Sequence, residues 1–280
     1  MKRKIAEAEK KMSEKEKISE GFMNLLRLRT LPVGVKLLKD RKELPPGCEI
    51  LDEPLTFCQF VTYARVYGRT LGVSQENQVC AIAKGNLGFA DFPAGLAKRF
   101  AIVRTSTGEA FEKILKTGLR IEPGRFQAAL VAPLEAIPID PDVILLFADG
   151  AQMTRLIYAS TYQTGERLNI NTAAECGTCG EGVAAAFMKD KPTVSFPCYG
   201  TRRFALAEDN ELIFSFPFHH AAEILRGLAM TDKGGFKYPI LQQLSSPKPP
   251  ALYRIREADP PEEYFANLRR LEEEARKKNG

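Results

Sequence analysis

The sequence lacks the features that would assign it to a membrane, a secretory route or a nucleotide cofactor. No apolar run among its 280 residues reaches the roughly 20 residues that a transmembrane helix needs. The first residues, MKRKIAEAEKKMSEKEK, are basic but lack the apolar segment of a secretory signal. No glycine-rich dinucleotide fingerprint follows a clear strand, which argues against a Rossmann site for NAD or FAD. We therefore expect a cytoplasmic protein that has no membrane partner.

Tryptophan is absent, and the only histidines are the adjacent pair His219 and His220. Two neighbouring histidines at a predicted helix start are more typical of capping or surface positions than of metal ligands. Aromatic residues do not alternate with basic ones, so the sequence does not indicate nucleic-acid binding. Residues 1–30 carry nine Lys/Arg and five Glu, a net charge of +4, but their alternating signs predict a solvated helix surface.

The sequence does contain enough apolar residues, 44% of the chain, to form a core. Apolar spacing predicts helices near 1–29, 57–67, 107–118, 150–162, 219–228 and 261–278, and strands near 33–38, 127–132, 143–147, 193–198 and 211–216. We expect an α+β (or α/β) fold, with a mixed sheet, helices packed on its faces and extra helices at both termini. The predicted divisions are a basic amphipathic helix (1–30), the main cysteine-containing domain (31–240) and an extension with a charged helix (241–280).

The six cysteines are the most informative residues, at positions 48, 58, 80, 176, 179 and 198. A cytoplasmic chain of this length is not expected to use them as a disulfide scaffold. They are buried small residues, metal ligands or reactive thiols. Cys176 and Cys179 form a C-x-x-C, which occurs in redox dithiols and in half of some zinc sites. The second C-x-x-C or histidine pair that such a zinc site normally has is missing.

Two cysteines stand where a helix is predicted to begin. The segment TFCQ (56–59) fits a capping box around Cys58, and TCGE (178–181) fits one around Cys179. Free N–H groups at a helix N-terminus stabilise an anion by roughly 0.3–1 kcal/mol. Such positions are a known cause of a low cysteine pKa. We therefore expect thiolates there, which could bind a metal or act as nucleophiles.

Two arginines are candidates for binding a small anionic ligand near these sulfurs. Arg65 lies on the predicted Cys58 helix, seven residues after the cysteine and therefore on the same stripe. Arg202 follows Cys198 in the run CYGTRRF, and its guanidinium could hold a carboxylate or phosphate through two hydrogen bonds. The alternative for both is a salt bridge or a solvated face.

From about residue 32 to 228 the chain resembles the domain of unknown function 169, or ArCR, family of archaeal and bacterial proteins. The segments that carry the resemblance are PVGVK (32–36), FCQ (57–59), NQVC (77–80) with LG (87–88), LVAPL (130–134), PDVI (141–144), CGE (179–181) and VSFPCYGTRRF (194–204). The resemblance implies that Cys58, Cys80, Cys179 and Cys198 are the family cysteines, whereas Cys48 and Cys176 are additions. It implies no settled reaction, and members are common in anaerobes.

Four cysteines on four separate segments suit one iron–sulfur cluster, since such clusters are usually held by four thiolates. We therefore expect a [4Fe–4S] protein, either a redox component or an enzyme acting on a small anionic substrate, whose partner is that ligand or a redox protein. A three-ligand cluster with an open iron is also compatible. The alternatives are a zinc site, structural cysteines, a metal-free catalyst with Cys179 as nucleophile, or a non-catalytic accessory module. A homo-oligomer is compatible with each of these.

Overall fold

The computed structural model of the protein describes residues 12–240 and, beyond them, five helical positions at 262, 266, 269, 270 and 273. Within 12–240 the helices are α1 (Glu14–Leu26), α2 (Phe57–Tyr67), α3 (Ala81–Asn86), α4 (Leu96–Phe100), α5 (Gly108–Thr117), α6 (Gly150–Thr161), α7 (Ala185–Lys189), α8 (Tyr199–Phe204) and α9 (Ala221–Lys233). The strands are β1 (Val33–Leu38), β2 (Glu49–Ile50), β3 (Leu71–Ser74), β4 (Ala128–Pro133), β5 (Val143–Ala148), β6 (Thr193–Ser195) and β7 (Leu212–Pro217). A π-helix, Cys179–Ala184, runs directly into α7, and 3₁₀ turns occupy Arg41–Glu43 and Phe218–His220.

All seven strands of the described chain form one mixed sheet in the order β2-β3-β4-β1-β5-β7-β6. Only β2 and β3 are parallel; the other pairs are antiparallel. Strand β1 lies near the centre, where Val33 is paired with Pro133 on one side and with Leu145 on the other. The predicted α+β class with a mixed sheet is confirmed.

Both faces of the sheet are covered, because side chains alternate across each strand. On β5, Leu145 and Phe147 join a core with α2, α3, α5 and the π-helix. Ile144 and Leu146, from the same strand, join a second core with α1, α6 and α9. The strands are therefore almost continuously apolar, as is expected for a sheet buried on both faces. All the family cysteines lie on the α2 side.

Helix α1 packs as part of the second core. Its buried residues include Ile18, Phe22 and Leu26, and the Phe22 ring lies 5.7 Å from the ring of Phe216 on β7. The helix begins at a capping box formed by Ser13 and Glu16. The predicted helical face is thus confirmed, and the helix is continuous with the main body of the fold. The rest of the predicted helix, residues 1–11, lies outside the described residues.

The sequence predictions miss five short elements, β2, β3, α3, α4 and α8, each of six residues or fewer. Elements of that length depend on tertiary contacts, since a single turn of helix or two strand residues carry little pattern of their own. Most residues of the 241–280 extension lie outside the described positions, and its five described positions are helical and exposed. No helix among the described residues combines the length and apolar composition needed to cross a bilayer.

Candidate functional site

The four family cysteines converge on the α2 face of the sheet from four separate segments. Cys58 lies in the first turn of α2, and Cys80 directly precedes α3. Cys179 opens the π-helix, and Cys198 directly precedes α8. Tertiary structure alone brings them together, because their spacing along the chain is too wide for a local turn.

Cys58 and Cys198 are linked through Thr201, and the two thiols are close enough to shift each other's pKa. The hydroxyl of Thr201 lies 3.3 Å from each of the two sulfurs and donates to that of Cys58. The start of helix α8 therefore supplies the sulfur of Cys198 and the buried hydroxyl of Thr201, which contacts the sulfurs of both cysteines.

Cys176 and Cys179 form a second pair of neighbouring thiols. The Cys179 sulfur also lies 3.8 Å from the side-chain nitrogen of Asn86, at the end of α3. Cys80 is close enough to Cys179 and Cys198 for their charges to interact. The group therefore contains five of the six cysteines. Cys48 packs instead in a separate small cluster against Leu38 and Ala128.

The loop before the π-helix is held tightly against the sheet edge. A Cβ built on Gly177 would lie 1.9 Å from the carbonyl oxygen of Phe196, so only glycine fits there. The hydroxyl of Ser195, on β6, donates to the carbonyl of Gly177 at 2.7 Å. Cys176 has a positive φ of 59°, an uncommon conformation for a residue with a side chain. These contacts fix where the C-x-x-C lies, and π-helical turns are frequent at functional sites.

Burial and the contacts between thiols give the cysteines different pKa values. The Cys58 contact lowers the pKa of Cys198 to about 4, with further help from the Thr201 hydroxyl. The same contact, together with burial, raises the pKa of Cys58 well above its usual value. The Cys176 contact and burial do the same for Cys179, and burial raises the pKa of Cys80 to about 11. Of these four thiols, Cys198 is therefore the one whose pKa is lowered.

This pattern corrects the expectation of low pKa values at Cys58 and Cys179. Cys58 does lie in the first turn of α2, and the predicted capping box of Thr56 and Gln59 is present. The helix N-terminus favours a thiolate there, but the full burial of both sulfurs and the neighbouring sulfurs outweigh it.

The predicted capping box at Thr178 is wrong. Thr178 has helical backbone angles and its side chain makes no capping bond. Glu181 instead accepts hydrogen bonds of 2.6 Å from the Thr172 hydroxyl and the Ala173 N–H. The N–H of Glu181 donates to the Cys176 carbonyl, so the turn is closed by backbone bonds that leave no role for the cap.

The two arginines already have partners in the fold. Arg65 is buried, with its guanidinium 2.9 Å from the Glu211 carboxylate and 4.0 Å from the centre of the Phe147 ring. Arg202 is half-buried and donates to the backbone carbonyls of Glu208 and Glu211. An anion at Arg65 would have to displace Glu211. A role for either arginine in binding an anionic ligand stays a prediction.

The sulfurs are arranged as pairs, without one tight group. Across the part of the chain that the structure describes, no three cysteine sulfurs all lie within 4.8 Å of one another. Four thiolates on one zinc ion would be about 3.8 Å apart, from Zn–S bonds of about 2.3 Å in a tetrahedron. A cluster of several iron atoms is wider, so its cysteine ligands stand farther apart. The donor set, all thiolate, is the set that such clusters use.

Sequence reasoning missed the residues that contact the sulfurs. Thr201 follows Cys198 by three residues, which places it within the first turn of a helix that begins there, and this spacing was the available signal. Asn86 gave no such signal, because it reaches Cys179 across 93 residues of sequence. Cys176 was noted as one end of a C-x-x-C, and its contact with Cys179 is the one that the motif implies.

Comparisons with known proteins identify the family to which the chain is similar. A family model described as uncharacterised ArCR, a domain of unknown function, matches residues 21–227. An uncharacterised protein of Methanocaldococcus jannaschii is 26% identical over 214 residues, which cover 75% of this chain and 91% of that protein. No solved structure matches the chain significantly.

Proposed function

The chain belongs to the uncharacterised ArCR family, and we propose that it is a cytoplasmic iron–sulfur protein with a [4Fe–4S] cluster held by Cys58, Cys80, Cys179 and Cys198. The observation that carries the proposal is the convergence of these cysteines from four separate segments. Two further features support it. The donor set is entirely thiolate, and the sulfurs are spread more widely than one zinc ion requires. Zinc is the runner-up metal.

When bound, a cluster of this kind supplies electron transfer, or a Lewis-acidic iron if one position has no protein ligand. The chain's own residues would hold and tune the sulfurs. The Thr201 hydroxyl donates to Cys58, and the Asn86 side chain faces Cys179 at 3.8 Å. Hydrogen bonds to ligand sulfurs are one of the factors that set the reduction potential of such sites. We propose a redox partner protein or a small anionic ligand as the partner.

The test is the iron and acid-labile sulfide content of the full chain purified without oxygen. We expect four of each per chain and broad visible absorption. Single Cys→Ala changes at positions 58, 80, 179 and 198 should each lower the iron content, because each removes one thiolate ligand. Iron-free, colourless protein from an anaerobic preparation would refute the proposal, and stoichiometric zinc would replace it with the zinc site.

The chain supplies its own matched control in the remaining cysteines. Cys48→Ala removes a half-buried thiol from a separate cluster, so it should leave the iron content unchanged. Cys176→Ala decides whether the fifth thiol takes part. Unchanged iron in this variant assigns Cys176 to the surroundings of the cluster, and a loss comparable to that in Cys179→Ala assigns it as a ligand.

A second candidate function, metal-free thiol chemistry, is favoured by the acidity of Cys198. Reactive redox cysteines combine a low pKa, access to solvent and a neighbouring thiol. Cys198 is only half-buried, its pKa is lowered to about 4, and Cys58 is in contact with it. The Cys198 thiolate would attack a disulfide substrate and release one of its sulfurs, and Cys58 would then displace the other, so that the pair became a disulfide. The substrate would become two thiols by taking two electrons from the pair, one proton from Cys58 and one from solvent. This assignment moves the expected nucleophile from Cys179 to Cys198.

Alkylation of metal-free protein at pH 6 shows whether Cys198 or Cys179 is the more reactive thiol. The pKa of Cys198 is lowered and those of Cys58, Cys80 and Cys179 are raised, so mass spectrometry should find Cys198 labelled before these three. Faster labelling of Cys179 would contradict this order. If iron and sulfide are present and metal-free protein has no disulfide reductase activity, the thiol function is rejected and the cluster proposal stands.

A further inference from the structure

A second group of metal-ligating side chains lies apart from the cysteines. One ligand atom each from Asp190, His219 and His220 lies within 4.8 Å of the other two. The closest approach is 3.2 Å, between Nε2 of His219 and Oδ1 of Asp190. Two ligands bound tetrahedrally at about 2.0–2.1 Å from one zinc ion would be about 3.3 Å apart, so this spacing already matches a shared ion.

The topology of the sheet edge brings these residues together. Asp190 ends helix α7 in the left-handed conformation, just before β6. The histidines follow the end of β7 and lead into α9. Because β6 and β7 are antiparallel neighbours, with Thr193 paired to Ser215, the start of one strand adjoins the end of the other. The backbone of the sheet therefore brings the Asp190 segment and the histidine segment close together, and their proximity does not depend on surface side chains alone.

The His220 ring is held by contacts that suit a metal ligand. Its Nε2 lies 3.1 Å from the backbone carbonyl of Asp190. A carbonyl can only accept, so this contact needs the ring proton on Nε2 and leaves the lone pair on Nδ1. A metal-binding histidine typically donates its other ring N–H in this way. A carboxylate oxygen of Glu223 lies 3.8 Å from Nδ1, beside the group of three.

We propose that Asp190, His219 and His220, with Glu223 beside them, form a binding site for a divalent transition-metal ion of the zinc and nickel class. Imidazole and carboxylate donors suit these ions, whereas the cysteine group suits softer thiolate chemistry. Asp190 and His219 are exposed, and the group borders a cleft that is also lined by Arg167, Lys189 and Lys191. Solvent or a small anion from this cleft could complete the coordination.

Cobalt(II) titration of the full-length protein tests the site, because the spectrum distinguishes these ligands from the cysteines. Cobalt bound to nitrogen and oxygen gives weak visible bands, whereas cobalt bound to thiolate adds intense sulfur-to-metal absorption in the near ultraviolet. We expect one ion per chain with the nitrogen and oxygen spectrum. Equilibrium dialysis against Ni²⁺ should give the same stoichiometry for this site.

His219→Ala and Asp190→Asn should each weaken binding at least tenfold, since each removes one ligand from an exposed position. Glu166→Gln is the matched control: it changes a carboxylate of the same cleft that pairs with Lys191, and should leave binding unchanged. A Cys179→Ala variant should also retain the nitrogen and oxygen spectrum. Equal binding in wild type and His219→Ala, or no binding of this spectral type at millimolar metal, would overturn the site and leave the contacts as ordinary ion pairs.

Discussion

The hydroxyl of Thr201 contacts both Cys58 and Cys198, at 3.3 Å in each case. With the proposed cluster bound, Thr201→Val should lower its reduction potential. A hydrogen bond to sulfur stabilises the more negative, reduced form, and removing a bond worth on the order of 1 kcal/mol shifts a one-electron potential by tens of millivolts. Redox titration monitored by visible absorption measures the shift.

Thr201→Ser is the control for this change, because it keeps the hydroxyl and loses only the methyl group. We expect its potential to stay near that of the wild type. Equal shifts in the serine and valine variants would show that packing around the helix, not the hydrogen bond, sets the potential.

Residue identities at the site could be predicted from sequence, but their interactions could not. The family segments pointed to Cys58, Cys80, Cys179 and Cys198 as a set, and the structure brings all four together. The acidity order could not be read from helix starts, because it depends on which thiols meet and how deeply they are buried. Cys198, which had no capping-box signal, is the acidic one.

At the scale of the element, helix α2 is fixed by the ion pair between Arg65 and Glu211, whose side chains are 1% and 6% exposed. Arg65→Met should lower the free energy of unfolding by about 3–5 kcal/mol, since Glu211 would remain buried without a counter-charge. Chemical denaturation measures the loss. Arg69→Met, which breaks the exposed pair with Glu49, should cost less than about 1 kcal/mol.

The double variant R65M/E211Q separates charge burial from packing. With the buried charge also removed, most of the lost stability should return. A single R65M variant as stable as the wild type, or a double variant no more stable than R65M, would contradict the assignment of Arg65 to a structural ion pair.

Helices and strands could be predicted where the apolar residues repeat over enough positions to show the period of the element. Helix α2 was predicted at residues 57–67 and is found at Phe57–Tyr67, because its capping box and apolar face agree. The π-helix at Cys179–Ala184 could not be predicted, since local propensity does not separate its i→i+5 hydrogen bonds from those of an α-helix.

At the scale of the whole molecule, α1 and the sheet behave as one folding unit. Phe22 is fully buried between α1 and β7. Phe22→Ala should therefore lower the free energy of unfolding by about 3–5 kcal/mol, as expected for a large aromatic removed from a core. The exposed Glu20→Ala on the same helix is the control. A loss below 1 kcal/mol in Phe22→Ala would show that α1 is a peripheral attachment.

The overall class was predictable because buried strands such as VILLFA (143–148) and amphipathic helices carry strong patterns. Strand order was not, because β1 pairs with β4 and β5, which lie about 100 residues away in sequence. The placement of the cysteines on one face follows from that order. The residues of the candidate site could therefore be proposed from sequence, but their arrangement in space could not.

The separation of the cysteines along the chain also dictates when the site can be completed during synthesis. A ribosome adds about 5–20 residues per second, so the 140 residues between Cys58 and Cys198 take roughly 7–28 s to translate. For most of that interval, from Cys80 to Cys179, the nascent chain carries Cys58 and Cys80 without the later two. Any ion that needs all four thiols can be delivered only after the eighth helix has left the exit tunnel, so loading depends on a donor that meets the finished fold.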